Sequence, residues 1–322
     1  KGVLPKKRFG NRNSPMSAYA MYAPTRFFDS GEGLYIGGQF WDSRATGAVL
    51  GDPLADQALG PFLNNLEMNN PEKLTVIVSI RNSDYADLFE EVWGEGSLDE
   101  VEAAYDLVAL SIAAFERTAL FAQFNSTYDE YLQDCLDRGG DKDDCAKGIG
   151  AEALAAGTAT FSAQQWDGLQ LFMDENNDND GAGGGAACVL CHVADWIDPA
   201  DDRYGDLEEL IVPDWSPDGT VPPVFTDFTY DNLGVPKNPD NPFYDLPKAF
   251  NPDGDDFVDL GLGPVVGDVE ENGKFKVMPL RNIAITGPYA HNGFFTSLEE
   301  ITHFYNTRDV PAEGWPPPEY PL

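Results

Sequence analysis

Residues 188–192 read Cys-Val-Leu-Cys-His, and this pentapeptide constrains the chain more than any other feature. Two thiols at that spacing can each add to one vinyl group of a haem. A histidine directly after the second is then held under the iron as its proximal ligand. Cys188, Cys191 and His192 are thus the candidate attachment and iron-ligating residues of a c-type haem. A thioredoxin-like pair shares the C-x-x-C spacing but does not need the following histidine. A zinc ribbon needs a second ligand pair, and the other two cysteines, Cys135 and Cys145, have the wrong spacing for one. The fold class this predicts is mainly α with long ordered loops, because haem and not a sheet fills the core.

Haem c is attached outside the cytoplasm, which predicts a periplasmic or extracellular protein. In that setting Cys135 and Cys145 are expected to form a disulfide closing a short acidic loop. The charge balance narrows the partners. Fifty-five Asp and Glu against 20 Lys and Arg give a net charge of −35 over 322 residues. Such a field repels nucleic acid and anionic membrane surfaces, and it favours cations and basic proteins. No apolar run approaches the roughly 18–20 residues that a membrane helix needs, so no membrane span is expected.

Local signals place several elements. Residues 1–30 lack periodicity and read as an irregular arm with a basic start (Lys1, Lys6, Lys7, Arg8), and 31–96 mix short apolar runs with turns. Ser97 with Glu100 reads as a capping box opening a helix whose stripe is Val101, Tyr105, Val108, Ile112 and Phe115. A second helix is predicted over about 126–136. A third follows Ser162, with Gln165 as capping partner and Trp166, Leu169 and Phe172 on one face. Residues 200–272 read as ordered loop. A last helix starts near Ser297, with Glu299 and Glu300 favourable to its dipole, and the tail from Pro316 is extended. Asp174, Asn176 and Asp178 have the spacing of a calcium loop. The match is incomplete, because Asn179 and Gly185 stand where that loop needs a glycine and a carboxylate.

Three blocks of motifs, in order and spread over nearly the whole chain, carry a resemblance. The first holds Arg12-Asn13-Ser14-Pro15, Phe40-Trp41-Asp42-Ser43-Arg44-Ala45 and the run from Gln57 to Glu67. The second is Ala114-Phe115-Glu116-Arg117, with 168–172 before the haem motif. The third joins 275–282, Thr286-Gly-Pro-Tyr-Ala-His-Asn-Gly293 and Leu298 to Asn306. Together they resemble the bacterial di-haem cytochrome c peroxidase superfamily, including its branch that oxidises a partner protein during methylamine dehydrogenase maturation.

The resemblance implies two cytochrome c-like haem domains, an N-terminal peroxidase-type one over 1–160 and a C-terminal one over 161–322. The C-terminal haem, on Cys188 and Cys191, passes electrons to an N-terminal haem that meets peroxide. The axial ligand opposite His192 falls on Tyr305, with Met278 as the rival. Phenolate, a hard anionic donor, lowers the potential relative to a thioether. Trp41 matches the position between the two haems, although an ordinary buried Trp would look the same. Glu67 and Gln57 match the distal pocket, where a carboxylate can move a proton between peroxide oxygens. Asn13, Thr286 and Pro288 match an inter-domain calcium site, the latter two through backbone carbonyls. His291 is expected to bond a haem propionate or to cap its turn, and His303 to be exposed and inert.

The implied partners are hydrogen peroxide and a small electron-donor protein such as a cytochrome c or a cupredoxin. The family's first C-x-x-C-H belongs upstream of Arg12, where the eleven residues present contain neither Cys nor His. Both ends are therefore expected to be trimmed. The competing reading is a mono-haem electron-transfer cytochrome without peroxidase activity.

Overall fold

The structure, a computed structural model, describes residues 8–175, 185–204 and 210–322. Asn176, Asp178 and Asn179 of the calcium-like run, and Lys1, Lys6 and Lys7, lie outside them.

The described residues are mainly helical. The helices are α1 (Pro53–Ala58), α2 (Lys73–Arg81), α3 (Ala86–Trp93), α4 (Val101–Glu116), α5 (Thr127–Asp137), α6 (Lys142–Lys147), α7 (Gly150–Thr160), α8 (Ala163–Met173), α9 (Gly263–Val266) and α10 (Leu298–Thr307). Two short antiparallel ribbons complete the set. The first pairs β1 (Phe27–Asp29) with β2 (Leu34–Ile36), and the second pairs β3 (Tyr230–Asp231) with β4 (Phe275–Lys276). None of the described helices is long and apolar enough to cross a membrane.

The capping signals decide where helices begin. Ser126 and Asp129 close a reciprocal box at the start of α5, Ser162 and Gln165 do the same for α8, and Ser297 caps α10 through Glu300 N–H. Each satisfies backbone donors that a helix N-terminus leaves free. The expected box at Ser97 is not made. Successive turns, Ser97 N–H to Gly94 O and Asp99 N–H to Gly96 O, carry the chain past Ser97, and α4 starts only after Glu100. The Ser97 hydroxyl is buried with no hydrogen-bond partner. Val101, Tyr105, Val108 and Ile112 do pack into one cluster with α2, whereas Phe115, at the end of the stripe, is exposed and meets Phe121 edge-on.

Two further expectations change. The segment 31–96 holds three helices, which its turn-rich sequence did not announce. The N-terminal stretch is irregular but is not a peripheral arm. Tyr19, Met21, Tyr22 and Ala23 are buried with Leu54 and Phe124 and with Ile197, Tyr204, Val221, Val224 and Phe228 from beyond the pentapeptide. Their apolar side chains follow a 3-10 turn and extended backbone, so no helical or strand period marks them.

The disulfide expectation holds: Cys135 and Cys145 are bonded, fully buried, and link α5 to α6. Around them Tyr131, Leu132, Ala153 and Ala156 form a small core onto which Trp166 of α8 and Trp196 and Trp215 also pack. This core draws on both sides of residue 160. Gly157 of α7 is required by that packing, because a Cβ there would lie 2.0 Å from the Trp166 ring.

Candidate haem site

The pentapeptide forms a short 3-10 turn, Cys188–Leu190, that follows α8 in the chain. Its two cysteines are the free ones among the described residues, each partly buried. Burial pushes both thiols up. Cys191 reaches about 12 because Asp231 and Asp227 add negative charge beside it, with its Sγ 3.6 Å from Asp231 Oδ2.

His192 is held from the far side. Its Nδ1 lies 2.9 Å from the Phe225 carbonyl, and burial lowers its pKa, against the opposing pull of that bond. Asp227 N–H donates to Cys191 O at 3.0 Å, so the segment 223–229 wraps the pentapeptide. Imidazole with Nδ1 committed to a carbonyl has its tautomer fixed and leaves Nε2 to act as ligand.

Tyr305 of α10 is brought to the same place. Its phenol is pushed up to about 12, first by burial and next by the nearby Cys191 and Cys188 thiols. It nevertheless leaves 46% of its surface uncovered, while its neighbour Phe304 is fully packed. Leu190 and Ile285 are likewise 58% and 83% uncovered. Met278 turns its backbone carbonyl towards His192, a contact that raises the imidazole pKa slightly. Two free thiols, an oriented imidazole and a phenol near the thiols form a donor set that fits haem c.

Of the N-terminal candidates, Trp41 and Asn13 meet residues of the third motif block along a seam. Trp41 Nε1 donates to Asn13 O at 2.9 Å, Trp41 O accepts from Lys276 N–H at 2.9 Å, and the indole stands edge-on to His291 at 6.5 Å. Asn13 spans the seam: its N–H donates to His291 O and its side-chain amide to Pro288 O, each at 2.6 Å. Of the candidate calcium ligands, Asn13 and Pro288 therefore meet.

His291 stacks on Phe275 at 3.5 Å and faces Glu319 at 3.3 Å, which also accepts from Asn292. Beneath lies Arg12, bonded to Asp259 at 2.6 and 2.7 Å and to Asp42 at 2.6 Å. Burial would raise the Asp259 carboxyl, but the bond and charge of Arg12 outweigh it and hold the carboxyl below its usual range. Gln57 lies in α1, and the turns from Gly60 to Asn70 fold back after it. Glu67 in those turns is exposed and accepts from Asn64 at 2.6 Å. His303 is half exposed and faces Glu313, as expected of a residue outside the site.

Comparison with known proteins decides the kinship. A family profile described as di-haem cytochrome c peroxidase matches residues 1–136. The methylamine utilization protein MauG of Paracoccus denitrificans (strain Pd 1222) is 33% identical over 300 residues, 92% of this chain and 60% of that protein. The chain belongs to the di-haem cytochrome c peroxidase family.

The cytochrome c551 peroxidase of Pseudomonas aeruginosa is 25% identical, covering 83% of this chain and 53% of its own length. The diheme peroxidase BthA of Burkholderia thailandensis E264 has the same fold, with a TM-score of 0.68 at 23% identity over 98% of this chain and 62% of that one. The chain thus spans about half to three-fifths of the relatives it matches. Membership implies haem c as cofactor, in agreement with the donor set at Cys188, Cys191 and His192.

Sequence reasoning missed several residues of this neighbourhood: Phe225, whose contribution is a backbone carbonyl; Arg281, quoted within a motif but given no role; Lys276; and Glu319. A carbonyl has no signature in sequence. Asp129 carried one, its place three residues after Ser126 in a capping box, but that signal speaks only of helix α5.

Proposed function

We propose that the protein is a haem c oxidoreductase of the peroxidase type, working with hydrogen peroxide and a small electron-donor protein. The observation that carries this reading is the placing of the Tyr305 phenol near the two free thiols, beside a His192 whose Nδ1 is held by the Phe225 carbonyl. Cys188 and Cys191 would hold the group as thioethers, with His192 and Tyr305 as the residues offered to its iron and Met278 as the alternative donor. When bound, haem c would supply one-electron redox chemistry, and a second haem would supply the site for peroxide reduction.

The protein's own part is positioning and proton handling. Glu67 would take a proton from one peroxide oxygen and return it to the other, assisted by Gln57. Trp41, fixed at its Nε1 and at its backbone carbonyl, stands on the seam where electrons would cross between the domains 1–160 and 161–322. Asn13, Thr286 and Pro288 offer the hard oxygen donors that suit calcium. His291 would steady the seam beside a propionate. Attachment of haem c and the Cys135–Cys145 disulfide support a periplasmic or extracellular setting. The charge of −35 suits a basic donor, a cytochrome c or a cupredoxin, steered by its field.

The test is haem content by pyridine haemochrome and intact mass, followed by peroxide-dependent oxidation of a reduced donor. Tyr305→Phe should raise the potential of the haem on Cys188 and Cys191 and change its ferric spectrum. Redox cycling without peroxide turnover would instead favour the mono-haem electron carrier.

A further inference from the structure

Arg281 is buried, and its guanidinium faces two ways. Nε and Nη2 donate to the Pro223 carbonyl, at 2.8 and 2.5 Å, while Nη1 donates to both oxygens of Asp129, at 2.8 and 2.7 Å. Asp129 has no exposed surface, and its carboxylate also closes the capping box of α5. Four rings surround the guanidinium, those of Tyr19, Phe124, Tyr128 and Phe225, at 4.8–5.8 Å from its carbon.

Pro223 is two residues from Phe225, the residue whose carbonyl receives His192 Nδ1. Arg281 therefore grips this short segment twice, at the Pro223 carbonyl and at the Phe225 ring. The grip is needed because Phe225 has φ +60°, a left-handed conformation that a bulky side chain adopts only when its surroundings impose it. Thr226 Oγ1 donates to Val277 O at 2.6 Å and pins the other side.

We propose that Arg281 and Asp129 are positioning residues for His192: their ion pair fixes the Pro223–Phe225 backbone so that the Phe225 carbonyl holds the imidazole Nδ1–H. This rests on the reading that Cys188, Cys191 and His192 hold haem c. It adds that α5, an element remote from the pentapeptide in sequence, sets the basicity of the iron ligand. A hydrogen bond from Nδ1–H makes the ring a stronger donor and stabilises ferric iron, so loosening it favours the ferrous form.

The experiment uses the full haem-loaded protein with two substitutions, Arg281→Lys and Asp129→Asn. Lysine keeps the charge opposite Asp129 but lacks the planar fork that reaches Pro223 and Asp129 together. The expected result is a shift of the ferric–ferrous equilibrium towards ferrous by about tenfold, which is 59 mV for a one-electron couple. The NMR signal of His192 Nδ1–H should exchange with solvent at least about tenfold faster, since its acceptor is no longer held.

Equilibrium and exchange rate both unchanged, with only the melting temperature lowered, would overturn the proposal and leave the pair a structural one. If Arg281→Lys yields no folded protein, the same two measurements on Asp129→Asn decide. Haem content of the unsubstituted protein, measured first, separates failure of this proposal from failure of the haem reading.

Discussion

Lys276 offers a quantitative check on the seam. Its side chain is 4% exposed and has no carboxylate partner among the described residues; Nζ donates to the Gly38 carbonyl and lies 5.6 Å from the Phe228 ring. Burial lowers its pKa from 10.5 to about 7. The sign of the linkage follows. Between about pH 7 and pH 10.5 the unfolded chain keeps its proton and the native amine does not, so the unfolded state binds more protons and stability rises with pH. Below pH 7 both states are protonated and the cost of the buried charge is fully present; above 10.5 neither is protonated and the cost is gone.

The span of 3.5 units, 10.5 minus 7, corresponds to about 5 kcal/mol at about 1.4 kcal/mol per unit. Lys276→Met keeps the length of the side chain and removes the titration. Urea unfolding of both proteins from pH 7 to 10 should show the lysine protein gaining on the methionine protein by about 1.4 kcal/mol per pH unit. Taking the difference cancels every other titrating group common to the two. Parallel pH profiles would refute the reasoning, because they would mean that the ammonium keeps its ordinary pKa in the folded state.

Other substitutions test the packing. Gly157→Ala should cost about 1–3 kcal/mol in unfolding free energy, since the new methyl meets the Trp166 ring and α7 must move off α8. A Gly157→Ala protein as stable as the parent would show that the two helices are not in contact as described. Replacing both Cys135 and Cys145 with Ser opens a loop whose ends are 10 residues apart, and chain entropy sets the loss near 2.7 kcal/mol. Thermal melts with and without reductant measure it, and a loss that reductant alone cannot reproduce would point to packing instead. Glu319→Gln should destabilise the seam by about 1–3 kcal/mol, because His291 and the Asp259 N–H lose a charged acceptor in a buried setting. Denaturant unfolding at pH 7 reads this directly.

What was legible in the sequence is what depends on neighbours along the chain. The attachment motif is local, since two thiols and an imidazole must lie within five residues to serve one haem. The box at Ser162 is local as well, because a hydroxyl and a side chain three residues on are all it needs. The Ser97 box shows the limit of that logic: the same residue types were present, but two glycine turns aimed the backbone elsewhere. Tyr305 was reachable through kinship alone, for nothing near it in sequence says that α10 brings its phenol beside Cys188 and Cys191.

The sequence by itself determined the chemistry available to this protein: a C-x-x-C-H motif that fits haem c, an acidic surface, a pair of cysteines set for a disulfide and a mainly helical frame. Only the tertiary structure decided how that chemistry is held. Phe225 serves through its carbonyl, Lys276 has no counter-charge among the described residues, and Arg281 reaches across 152 positions to Asp129. Backbone acceptors look alike in every residue, and the distance between two charges is set by packing, not by their separation along the chain.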